Sequence, residues 1–223
     1  MAQQMLAPSP SMDRLAVGEE RIPMSYDEYL DWCDEELNFG EWVDGEVIVF
    51  DMPGLRHQDL VLWLGWLLRT FALRRSLGRV IIAEYEMKLD AVRSSRKPDV
   101  LFVATEHLDR LTEPRLIGPA DLAVEIVSPS SGPRDRKHKL AEYASAGIPE
   151  YWVIDPRPLR RSVTVHRLDD ERVYQPMALR LDGTLDSAVL PDLHLPAAWL
   201  LNEQQPDSVE ALKALLDAAS TDS

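Results

Sequence analysis

A single cysteine, Cys33, among 223 residues leaves nothing for an intrachain disulfide and no set of thiolates for a zinc cage. That agrees with a reducing compartment, and Cys33 reads as a small buried apolar residue. No apolar run approaches the roughly eighteen residues needed to cross a bilayer, and the N-terminus lacks a basic stretch followed by an apolar segment. A soluble, cytoplasmic protein is expected. Basic excess is missing too: 24 Lys and Arg stand against 38 Asp and Glu, a formal net charge of -14. This composition opposes a protein that coats nucleic acid through a uniformly basic surface, although Arg69, Arg74, Arg75 and Arg79, and then Arg134, Arg136 and Lys137, form local clusters. There is no glycine-rich phosphate loop, no Gly-x-Ser-x-Gly elbow, and no close ligand spacing among the five histidines. Nucleotide-binding, serine-hydrolase and histidine-zinc chemistry of the usual kinds are therefore disfavoured.

What is present is one domain's worth of patterned sequence. Residues 1–21 lack apolar periodicity and read as a flexible segment, 22–204 as the globular domain, and 205–223 as a C-terminal helix and tail. Ser25 followed by Glu28 is a capping box, predicting a helix that ends near Glu36. Asp44-Gly45 between short apolar runs predicts a hairpin, with Glu41 at the start of its first strand. The dense apolar stretch 58–77 predicts a buried helix stopped by Gly78. Residues 80–89 read as a strand, 93–97 as a polar turn, and 100–103 and 122–127 as strands. After a breaker at 128–133, a helix over 135–146 and a strand over 151–154 suggest a parallel crossover, with Tyr151 and Trp152 in the core. Short strands over 163–168 and 172–177 and a helix from Asp207 follow. The expected class is α/β, a mixed β-sheet flanked by helices.

Asp99 and Glu125 fall in short apolar strand contexts, where an ionised carboxylate is costly unless a cation or hydrogen-bond donors compensate it. Two such residues on adjacent strands suit a divalent ion such as Mg²⁺, which prefers oxygen ligands and retains water. Spacing alone leaves a structural cap or ion pair equally open. A glycosidase using paired acids has nothing beyond the two acids behind it.

The run Lys97-Pro98-Asp99-Val100 resembles the acid motif of the PD-(D/E)XK restriction-endonuclease-like superfamily. So does Val124-Glu125-Ile126-Val127. A narrower resemblance extends over roughly residues 22–200. Asp121 to Ser130, then Asp135 with Lys139-Leu140-Ala141-Glu142-Tyr143, then Gly147 to Asp155 are similar to the Uma-type restriction endonuclease family, as are Glu41, Asp44-Gly45-Glu46 and His57 upstream. The resemblance implies the restriction-endonuclease-like fold, Mg²⁺ or Mn²⁺, and hydrolysis of DNA phosphodiester bonds. It assigns the ion to Asp99, Glu125 and the Ile126 carbonyl. The superfamily's lysine, two residues after the second acid, is replaced here by Val127; the family's displaced lysine matches Lys139 on the following helix. Asp135, Lys139 and Tyr143 recur at helical spacing and share a face, which allows the Lys139 ammonium to reach the site, while the alternative is an exposed Asp-Lys pair. Glu41 is a candidate third acid or a strand cap. Lys97 and His57 are candidates for substrate contact, against a turn lysine and a helix-end histidine. DNA as substrate and a homodimer are the partners implied, and a non-catalytic scaffold or nucleic-acid-binding relative is the alternative.

Overall fold

The computed structural model describes residues 20–35, 40–49, 53–128 and 133–221. Residues 1–19 of the expected N-terminal segment and 129–132 of the expected breaker lie outside them; Glu20 and Arg21 open the first strand.

Two six-stranded sheets share the chain. The first takes β1 (Glu20–Pro23), the hairpin β2 (Gly40–Val43) and β3 (Glu46–Val49), then β5 (Glu86–Leu89), β6 (Ser94–Arg96) and β8 (Arg115–Ile117). Their spatial order is β1-β3-β2-β6-β5-β8. The second takes β4 (Gly78–Ile82), β7 (Val100–Ala104), β9 (Leu122–Ile126), β10 (Glu150–Asp155), β11 (Ser162–Leu168) and β12 (Tyr174–Met177), in the order β12-β11-β10-β9-β7-β4. A small pair, β13 (Thr184–Asp186) and β14 (His194–Pro196), stands apart. The helices are α1 (Tyr26–Glu35), α2 (Leu55–Arg74), α3 (Pro133–Ala146), α4 (Ala197–Leu201) and α5 (Ser208–Thr221). Mixed α/β architecture and the parallel β9-α3-β10 crossover are as the sequence predicts.

Strand alternation divides the core. Val100, Phe102, Leu122, Val124, Trp152 and Ile154 face α2 and α5, whose Leu64, Leu67, Phe71, Leu212 and Leu215 complete one apolar cluster. Leu101, Val103, Ala123 and Tyr151 face the other way, against Tyr143 and Ile148 and against Met87, Leu89 and Leu116 of the first sheet. Burying each such side chain contributes roughly 1.5–3 kcal/mol. Helix α5 is therefore part of the main core rather than an appendage to it.

Local chemistry explains the element ends. Ser25 and Glu28 form the reciprocal cap, with the Ser25 amide 2.8 Å from Glu28 Oε2 and the Glu28 amide 3.3 Å from Ser25 Oγ. Asp44 and Gly45 both take positive φ, 48° and 91°, as the tight hairpin requires.

Four expectations need correcting. The stretch 80–89 is two strands in different sheets, because the chain leaves one sheet after Ile82 and enters the other at Glu86. Helix α2 stops at Arg74, with Ser76 in the left-handed region, while Gly78 begins β4; there a Cβ would come within 2.2 Å of the Val103 carbonyl oxygen. The supposed polar turn at 93–97 contains the buried strand β6. Its Ser95 and Arg96 are polar yet fully partnered by carboxylates, so polarity misled. Cys33 is half-buried rather than buried.

Candidate active site

Two cross-strand relationships place the acids. Val100 pairs with Val124 in the antiparallel β7-β9 ladder, so one step outward Asp99 stands opposite Glu125. In the first sheet Trp42 pairs with Ser95, and one step outward Glu41 stands opposite Arg96. Helix α3 then lies over both ends. Lys139 and Tyr143 are four residues apart on its inward face, and both reach Glu125: Lys139 Nζ is 3.0 Å from Oε1 and the Tyr143 hydroxyl 2.9 Å. The side chain of Asp135, expected on that same face, lies outside the described residues.

Lys139 is buried, at 5% exposure, which removes the alternative of an exposed surface pair. Its ammonium also donates to Glu41 Oε1 at 3.2 Å. Glu41 in turn accepts from the Lys97 amide at 2.9 Å and from Arg96 Nη1 at 2.8 Å. Arg96, 1% exposed, grips Glu142 of α3 with two parallel bonds of 2.9 and 2.5 Å. The result is a buried chain of alternating charge, Glu142, Arg96, Glu41, Lys139 and Glu125. Burial opposes the charge on Glu41, but the neighbouring Lys139 and Arg96 outweigh it and hold the carboxyl at about 2. For Tyr143, burial and then Glu125 and Glu41 push the phenol well up, so it serves as a neutral donor.

Asp99 is fixed from two sides. Its Oδ2 accepts the Ile126 amide at 2.6 Å and lies 3.2 Å from His57 Nε2, on the first turn of α2. His57 Nδ1 is buried without a hydrogen-bond partner among the described residues. The Lys97 side chain turns instead toward Glu84, with Nζ 3.4 Å from Oε2.

Asp99 and Glu125 offer only oxygen donors from adjacent strands, and no hydrogen bond among the described residues reaches Asp99 Oδ1. Such a set suits a hard divalent cation that keeps part of its water shell. Among the described residues no group of three or more His, Cys, Asp or Glu is placed to hold a metal. Glu41 is engaged by Lys139 and Arg96, which leaves Asp99 and Glu125 as the candidate carboxylates for an ion.

Residues 26–198 match the model of the Uma2 family, whose description is "Putative restriction endonuclease". The chain belongs to this family. A crystal structure described as a "putative nuclease belonging to DUF820" from Anabaena variabilis ATCC 29413 is similar in fold. It has a TM-score of 0.63 at 18% identity and covers 88% of this chain and 99% of its own. A search of curated proteins returned no match. No helix among the described residues is long and apolar enough to cross a membrane.

Within this Uma2 fold, hydrogen bonds join Glu41, Lys139 and Glu125 in one set and Asp99, His57 and the Ile126 amide in another, and the β7-β9 register sets Asp99 beside Glu125. Arg96 and Glu142 were missed as members of the first set. The signal for Arg96 was available only through register: Glu41 at a strand start needs a cross-strand cation, but β6 has to be recognised as a strand first.

Proposed function

We propose that this chain is a metal-dependent nuclease that hydrolyses DNA phosphodiester bonds. The observation that carries the proposal is the Lys139 ammonium 3.0 Å from Glu125, on the strand beside Asp99. Asp99, Glu125 and the Ile126 carbonyl would hold Mg²⁺ or Mn²⁺. When bound, the ion supplies Lewis-acid charge for a phosphate oxygen and acidifies bound water.

The protein's own groups do the rest. Lys139, held between Glu41 and Glu125, presents a fixed positive charge and a hydrogen-bond donor to the attacking water or the scissile phosphate. Glu41 keeps that ammonium charged and in place, because an acid held at about 2 is ionised throughout the neutral range. The Ile126 amide and His57 orient Asp99, and Tyr143 orients Glu125.

Plasmid nicking with Mg²⁺ or Mn²⁺ tests this. Asp99→Ala is expected to abolish cleavage, and Lys139→Ala to lower turnover by about a hundredfold or more while leaving ion affinity by calorimetry nearly unchanged. Cleavage without divalent ion, or full activity in Asp99→Ala, overturns the mechanism. The net charge of -14 favours a second reading, a scaffold that keeps the fold without the reaction. Ion binding with no cleavage of any DNA form by the wild type would select it.

A further inference from the structure

Helix α2 has an outer face that nothing among the described residues covers. Leu55 is 78% exposed, Leu62 65%, Trp66 39% and Leu73 71%, and Asp59 and Arg69 are exposed between them. These six positions follow one another in alternating steps of four and three, the spacing of a helix-pairing seam. Beside the seam, Ile82 of the edge strand β4 extends the apolar surface, seated against Gly65, where a Cβ would come within 2.4 Å of Ile82 Cγ2.

The arrangement is symmetric about the level of Leu64. At equal distances from it stand Leu62 and Trp66, then Asp59 and Arg69, then Leu55 and Leu73, with Gln58 and Thr70 as the polar flank. An antiparallel second copy therefore sets every residue against a suitable partner: apolar on apolar at the centre and at both ends, and acid on base between them. Self-complementarity of this kind is what a two-fold interface requires. We infer that two copies of this chain pair through the outer faces of their α2 helices, Asp59 of each meeting Arg69 of the other. The inference stands on α2 alone and does not depend on the nuclease reading.

A charge swap tests the pairing, read by sedimentation velocity. The wild type is expected to be a dimer. Asp59→Arg and Arg69→Asp each place like charges together twice per dimer and raise the dissociation constant by about tenfold or more. The double variant Asp59→Arg with Arg69→Asp restores opposite charges and dimer strength with them. Leu62→Glu combined with Trp66→Glu gives a monomer that retains its helical circular dichroism. A monomeric wild type overturns the inference, as does a dimer indifferent to Leu62→Glu with Trp66→Glu, or a double swap no stronger than either single swap.

Discussion

Glu41 illustrates how a buried charge can be satisfied by construction. Its two oxygens serve Lys139, Arg96 and the Lys97 amide at once, so removing its charge leaves two buried cations to share the two remaining carboxylates, Glu125 and Glu142. Breaking a buried pair by neutralising one member costs about 3–5 kcal/mol. Glu41→Gln is therefore expected to be destabilised by that order in urea titrations, a larger loss than for any exposed carboxylate. A different residue sets the pH response near neutrality. His166 stacks on Tyr151 with ring centroids 5.9 Å apart, and burial lowers its pKa from the ordinary histidine value of about 6.5. The unfolded chain takes up that proton first, so stability is full above about pH 6.5 and declines as pH falls through and below it. His166→Phe is expected to flatten the slope, measured as melting temperature against pH; an unchanged slope would remove His166 as its source.

At the scale of elements, local patterning showed most of what formed. The capping box of α1, the Asp44-Gly45 hairpin, the buried α2 and the β9-α3-β10 crossover are written in short-range periodicity and turn chemistry. Strand β6 and the change of sheet after Ile82 are not, because they depend on what lies across the ladder. Ser95 and Arg96 look solvated until Glu86, Glu41 and Glu142 are found around them. The candidate site divides the same way. Asp99 and Glu125 stand out as acids in apolar strands and Lys139 by its place in the family, whereas Arg96 and Glu142 emerge only from register. Gly65 is a related case of long-range cause. Helix propensity favours Ala there by about 1 kcal/mol, but the new Cβ would meet the stiff β-branched Ile82 at 2.4 Å. Overlap should win: Gly65→Ala is expected to lose about 1–3 kcal/mol in a urea midpoint measurement. Ile82→Ala should recover part of that loss.

For the whole molecule, the proposed reaction and the proposed pairing combine into one expectation. His57, beside Asp99, lies seven residues from the centre of the α2 seam, so an antiparallel pair holds the two sites about 21 Å apart along the helix axes. Two centres in one particle permit both strands of a duplex to be cut in a single encounter. The wild type is accordingly expected to turn supercoiled plasmid directly into linear product, whereas Leu62→Glu with Trp66→Glu accumulates nicked circles first, resolved on agarose over a time course. Linear product forming equally fast from both proteins would separate pairing from cleavage.

The chain passes between its two sheets five times, and two of these crossings, after Ile82 and between Arg96 and Val100, touch where the Ala83 amide bonds the Asp99 carbonyl at 3.0 Å. Glu41 comes from one sheet, Glu125 from the other, Asp99 from a crossing, and Lys139 from the helix above. Anything that settles on these groups consequently clamps the two halves of the molecule to each other. Occupancy then becomes visible as heat resistance, so a thermal-shift screen across divalent ions, nucleotides and short DNA duplexes can find what this protein holds before any turnover is detected.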